Sequence, residues 1–155
     1  MAKIEEPASV YDPENLFARM LRGEEPCVAV FDDDVALALM DAFPQSEGHT
    51  LVIPKNVDVT DFVSMPPRTV GPFVERVQHV ARAIMSSLHP DGLCIMQLNG
   101  SAAGQTVPYP HFHLIPRWRG SGMLEHGSAP PAVPAQLEAA ARRIRAALKS
   151  RRDAS

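Results

Sequence analysis

The sequence predicts an α+β fold, an antiparallel sheet of about five strands with helices packed on it. Three observations carry this. Short apolar runs, "CVAVF", "VALALM" and "TLVIP", follow one another through short polar connections, and strands joined in this way favour antiparallel neighbours. Phe73, Val77, Val80, Ile84 and Leu88 form one apolar stripe at helical period. Two further strand-like runs, "LCIMQL" and "HFHLIPRW", come after that helix.

The elements follow in order. Asp12 reads as an N-cap with Pro13 at the first helical position, followed by "ENLFARMLR". Leu16, Phe17, Met20 and Leu21 fall at helical spacing, and Gly23 supplies the stop. Cys27 to Phe31 is a strand, Asp32 to Asp34 a solvated turn, and Val35 to Met40 the returning strand of a hairpin. An irregular connection, Asp41 to His49, leads into the compact strand Thr50 to Pro54. Asp58 to Val63 reads as a short helical turn. Pro66, Pro67 and Pro72 are each acceptable in the first turn of the long helix, which "HPDG" ends. Leu93 to Leu98 is a strand, Asn99 to Thr106 a loop of small residues, and pairing of the last strand begins near His111. The proline-rich "SAPPAVP" leads to a final helix, about 134–150, with Leu137, Ala141, Ile144 and Leu148 on one face.

A chain of 155 residues fits one domain, taken as 1–155 with its core at about 14–118. The net charge of -3 argues against an electrostatic nucleic-acid binder, and the basic tail "RRIRAALKSRR" reads as the end of a solvated helix. Cys27 and Cys94 lie far apart with no CxxC pair, which speaks against a zinc ribbon and for reduced thiols in a cytoplasmic protein. Cys94, in an apolar run, is expected to be buried. The N-terminal "MAKIEEPASV" lacks the apolar core of a signal peptide, and no run of apolar residues is long enough to span a membrane.

The chemistry concentrates in "VPYPHFHLIPRW". Side chains on a strand alternate, so Tyr109, His111 and His113 share one face while Phe112 and Leu114 take the other. Pro108 and Pro110 suit a strand start. Gly100 to Gly104 lets backbone N–H groups approach an anion, and Thr106 adds a hydroxyl. An anion-cradling loop feeding into two histidines points to phosphate chemistry. A neutral imidazole, of pKa ~6.5 when unperturbed, can attack phosphorus while a second donates a proton, and this needs no metal or other cofactor. Two other readings of the pair stay open on spacing alone. One is a zinc site completed by His49, Asp41 or His126, and the other is plain structural histidines. His79 and His89 read as helix-surface and helix-terminus residues.

These residues resemble the histidine triad (HIT) family, whose motif is H-x-H-x-H followed by apolar residues. "NLFARMLRGEEPC", "FDDDVALALMDAFPQSEGHTLVIPK" and "LCIMQLNGSAAGQTVPYPHFHLIPR" resemble family segments in the family order, from Glu14 to Arg117. The resemblance implies a HIT-like fold, a homodimer, and purine nucleotides as ligands. It implies hydrolysis or nucleotidyl transfer through a covalent nucleotidyl-histidine, on nucleoside phosphoramidates or related conjugates, with dinucleoside polyphosphates as an alternative.

Residue by residue, the resemblance makes His111 the nucleophile and His113 its partner at the phosphate or leaving group, with His49 nearby. Asn99, Gly104, Gln105 and Thr106 fall on the phosphate side, Asp41 on the ribose, and Leu16, Phe17 and Met20 on the base. Core packing of an amphipathic helix accounts for those last three equally well. Tyr109 stands where the first triad histidine belongs, so a nucleotide-binding module with weak or no catalysis is the reading from another class. Some bacterial members carry a cysteine-based zinc site near the N-terminus. "NLFARM" has no cysteine, so no zinc is expected.

Overall fold

The computed structural model describes residues 10–152, so the N-terminal leader question, which concerns 1–9, lies outside the described residues. Three helices and five strands run in the order α1 (Leu16–Leu21), β1 (Ala29–Asp32), β2 (Ala36–Met40), β3 (Thr50–Pro54), α2 (Pro67–Leu88), β4 (Gly92–Gln97), β5 (Phe112–Arg117) and α3 (Pro134–Arg152). The strands form one antiparallel sheet in the order β1-β2-β3-β5-β4. The expected α+β fold is therefore the observed one.

The layers explain the burial. Phe112 packs edge-on against Phe62 and, at 5.8 Å, against Phe73 of α2. The α2 stripe of Phe73, Val77, Val80, Ile84 and Leu88 is buried as its spacing predicts. Helix α3 packs on α2 and on β1, with Ala141, Ile144 and Leu148 buried. The short α1 approaches from the opposite side, where Phe17 meets the His111 ring at 5.0 Å. Both faces of the central strands are thus covered, and β2 and β3 are buried at every position. A sheet covered on both sides carries continuous apolar strands rather than alternating ones.

Several local expectations shift. The cap of α1 is Asn15, whose Oδ1 accepts from the Ala18 N–H at 2.9 Å. Asp12 instead braces the turn ahead, accepting from the Glu14 N–H at 2.9 Å, and Pro13 lies outside the helix. Strand β1 begins at Ala29 rather than Cys27, with an irregular register between Ala29 and Phe31. The stretch 58–63 is irregular rather than helical, with one turn at its end where the Met65 N–H donates to the Phe62 carbonyl at 3.1 Å. Its backbone is spent on the loop opposite, since the Phe62 N–H donates to Asn99 and the Thr60 carbonyl accepts from Gln105. Pro67 opens α2 behind Pro66, Pro72 lies inside it, and His89 closes it at φ 50. Cys94 is half-buried rather than buried, because β4 is an edge strand. Among the described residues, no helix is long and apolar enough to cross a membrane.

Candidate active site

Two chain segments deliver the histidines. Strand β5 places His113 opposite Leu51 of β3, and His49 sits one residue ahead of β3. The approach to His49 depends on Gly48, which has φ +84 and where a Cβ would lie 2.2 Å from the Leu88 side chain. Only glycine meets both demands. His49, His111 and His113 end up 1%, 3% and 4% exposed.

The hydrogen bonds fix which ring nitrogen carries each proton. The Gln45 backbone N–H donates to His49 Nδ1 at 3.0 Å. A backbone amide can only donate, so the neutral His49 ring carries its proton on Nε2. That Nε2–H lies 3.0 Å from His113 Nδ1, which must accept, so His113 carries its own proton on Nε2. His113 Nε2 is buried and has no protein partner. His111 has the opposite arrangement. Its Nδ1 lies 2.7 Å from the Tyr109 carbonyl, which can only accept, so Nδ1 holds the proton and Nε2 holds a lone pair. The pair therefore presents one nucleophilic nitrogen and one N–H donor, with ring centres 5.0 Å apart.

Electrostatics keep these rings neutral. Burial pushes His49 and His113 down to about 3, helped for His113 by the neighbouring His111, His49 and His126. Burial lowers His111 as well, against the pull of the Tyr109 carbonyl. Burial raises Asp41, although its carboxylate accepts from the Phe43 N–H at 2.8 Å.

Asp41, His49 and His113 bring potential ligand atoms within 4.8 Å of one another, as a metal site would. The donor set does not fit a cation. Metal at His49 Nε2 would move the remaining ring proton to Nδ1, where the Gln45 N–H already points. The cluster is accounted for as a hydrogen-bonded chain instead.

One cavity of about 510 Å³ gathers most of the predicted residues. Leu16, Phe17 and Met20 line its apolar end, continued by Cys27 and Leu39. Asp41, His49, Thr106, His111 and His113 line the other. Four predicted residues do not line it. Gln105 is a brace, its Oε1 accepting from the Gly100 N–H at 2.6 Å and its Nε2 donating to the carbonyls of Thr60 and Val107. Asn99 pairs with Gln97 and holds the Phe62 N–H. Gly104, at φ 96, turns its carbonyl toward His126. Tyr109 is 1% exposed and sits behind the site, its hydroxyl donating to the Pro54 carbonyl at 2.6 Å. Its backbone serves His111, and its side chain does not.

Three contributors escaped the sequence reading. Gln45 acts through its main-chain N–H, which no sequence motif advertises. Arg117 reaches the Gln45 side chain at 3.0 Å. His126, weighed only as a metal ligand, packs on His113 with ring centres 5.1 Å apart.

Fold and site together define an α+β protein of the histidine-triad kind. The HIT domain matches residues 22–120, and the chain belongs to that family. An adenylylsulfatase of Arabidopsis thaliana is 31% identical over 134 residues, covering 83% of this chain and 68% of the relative. Among solved structures, a HIT-like protein from Bartonella henselae involved in cell-cycle regulation is 39% identical with TM-score 0.83, covering 90% of this chain and 99% of that one. A zinc-bound histidine triad family protein from Mycobacterium smegmatis is 35% identical with TM-score 0.79, covering 92% and 98%.

Proposed function

We propose that the protein is a metal-independent hydrolase or nucleotidyl transferase acting on purine nucleoside phosphoramidates or related nucleotide conjugates through a covalent nucleotidyl-His111 intermediate. The observation that carries this is the tautomer of His111, with Nδ1–H held by the Tyr109 carbonyl at 2.7 Å and Nε2 left as a lone pair beside the unpartnered His113 Nε2–H. Nε2 of His111 attacks the phosphorus of a phosphoramidate that carries a solvent-derived proton on its nitrogen. The phosphorus–nitrogen bond breaks with its electron pair leaving on the amine, and the His113 Nε2–H hydrogen-bonds the phosphoryl oxygen while keeping its proton. The phosphorylated ring is cationic, and the Tyr109 carbonyl on Nδ1–H stabilises it. Water then attacks phosphorus and frees His111.

The apolar end of the cavity suits a purine, and the Asp41 carboxylate, 3.4 Å from His49 Nε2 in the same lining, suits ribose hydroxyls. Tyr109 takes the first triad position without disturbing His111, because only its carbonyl is used there. An edge strand that is half-buried along most of its length, with Ile95 53% exposed, supports a homodimer formed through β4. The adenylylsulfatase relative makes adenylyl sulfate a second substrate worth assay, with sulfate in place of the amine.

The test is turnover of adenosine phosphoramidate in EDTA. Turnover should survive chelation and fall on the order of 10⁴-fold or more in His111→Ala. No turnover by the wild type, or full turnover by the variant, overturns the reading.

A further inference from the structure

A residue beyond the matched HIT segment reaches the catalytic histidines. His126 lies six positions after the end of that segment and touches three parts of the site. Its Nε2 lies 3.1 Å from the Gly104 carbonyl, at the loop ahead of the histidines. Its Nδ1 lies 3.3 Å from Gln45 Nε2, and Gln45 Oε1 accepts in turn from Arg117 at 3.0 Å. The Gln45 amide donates, so His126 Nδ1 accepts and Nε2–H is given to Gly104. Both nitrogens are therefore engaged by the protein. What the ring offers a ligand is its bulk, set edge-on against His113 at 5.1 Å.

The order of the rings gives that bulk a place. Phe17, His111, His113 and His126 touch in succession with centre spacings of 5.0, 5.0 and 5.1 Å, and all four line the cavity. A group displaced from phosphorus leaves roughly opposite its attacker. On the proposed reaction the departing group leaves on the side of phosphorus away from His111, and His126 is the next ring of the lining in contact with His113. The segment that carries His126 turns locally and is tied down after the turn. The Ser128 N–H donates to the Glu125 carbonyl at 3.1 Å, and the Ala132 N–H donates to the Ala42 carbonyl at 3.0 Å.

We propose that His126 is a specificity-determining residue that clasps the Gly104 loop to Gln45 and limits the leaving group to compact ones, an amine or a small oxyanion, against a second nucleotide. The proposal rests on the nucleotidyl-His111 reading and adds the leaving-group class to it. The contact from Gln45 to His126 spans 81 residues of sequence and uses side chains only, so replacing His126 leaves the Gln45 backbone donor to His49 in place.

The experiment compares kcat/KM for adenosine phosphoramidate and for diadenosine tetraphosphate in the wild type, His126→Ala and His126→Gln. The ratio should move toward the tetraphosphate by about tenfold or more in His126→Ala, the scale on which pocket walls discriminate. His126→Gln, which restores bulk and hydrogen-bonding groups, should bring the ratio back toward the wild-type value. An equal loss on both substrates would reduce His126 to a structural contact, and an unchanged ratio would sink the proposal outright. If the wild type turns over neither compound, the nucleotidyl-transfer reading has failed. The clasp is then decided by dissociation constants for AMP and diadenosine tetraphosphate in His111→Ala with and without His126→Ala. The same tenfold shift in their ratio sustains it, and no shift or no binding ends it.

Discussion

The two ends of the cavity are built on different physics. The apolar end is made of side chains that pack, Leu16, Phe17 and Met20 from one short helix, and its shape follows from burial. The imidazole end is made of side chains whose value lies in direction, where a proton on the wrong nitrogen would disable a ring in perfect position. Packing tolerates a degree of substitution because many small contacts share the load. A tautomer chain tolerates none, because each hydrogen bond decides the next. Damage at the apolar end should therefore appear mainly in stability and KM, and damage at the imidazole end mainly in kcat.

Replacing His113 is the sharpest way to test that division. On the proposed mechanism His113→Ala removes the unpartnered ring N–H that would donate to the phosphoryl group and should lower kcat by about 10²–10³-fold, with KM moving far less. A variant that raised KM while keeping kcat would dissolve the distinction between the ends. Phe17 probes the other side. It is buried against both His111 and Tyr109, so Phe17→Ala should cost about 3–5 kcal/mol in urea unfolding and raise KM for adenosine conjugates.

Acid should weaken the imidazole end. His49 and His113 are held near 3 when folded, against ~6.5 when unfolded. Between those values the unfolded chain binds protons that the folded one refuses, so stability is full above about 6.5 and is lost as pH falls toward 3. From pH 6.5 to pH 5 each ring should contribute a loss of about 1.6 kcal/mol. Asp41, raised when folded, works in the opposite sense from its ordinary range upward and offsets part of this. Chemical denaturation at several pH values measures the slope, and His49→Asn should flatten it. A slope left unchanged by that substitution would show that the protons are taken up elsewhere.

The smallest effect belongs to Tyr109. Tyr109→Phe removes the donor to the Pro54 carbonyl and should cost about 1–3 kcal/mol. Because His111 uses the Tyr109 backbone carbonyl, kcat should change by only a few-fold, judged against the 10²–10⁴ expected of a group in proton transfer. A hundredfold loss of kcat would mean that the hydroxyl takes part in the chemistry after all.

Much of this was legible from residues alone, for reasons of range. The α2 stripe and the hairpin of β1 and β2 are local patterns, and local patterns survive translation into structure. Strand alternation sets His113 opposite Phe112 within β5, whereas Tyr109 and His111 lie ahead of the strand. It gives a face but not a depth, which is why it could not foresee that Tyr109 lies behind the site with its hydroxyl turned to Pro54. The resemblance assigns Gln105 and Asn99 to a ligand, whereas their amides bond to Gln97, Gly100, Thr60 and Phe62. The largest omissions, Gln45 with Arg117 and His126, are contacts across 72 and 81 residues. No periodicity or spacing reaches that far.

The Gln45 donor has a consequence for which changes the site can absorb. The proton that orients His49 belongs to the peptide bond, so every replacement at position 45 supplies it except proline. The side chain at the same position is a different matter, since only a group that both donates and accepts can stand between His126 and Arg117. A single codon thus carries two separable traits. Most substitutions there would spare the attack on phosphorus while loosening control over what is expelled from it, which would let the range of substrates drift without first passing through an inactive protein.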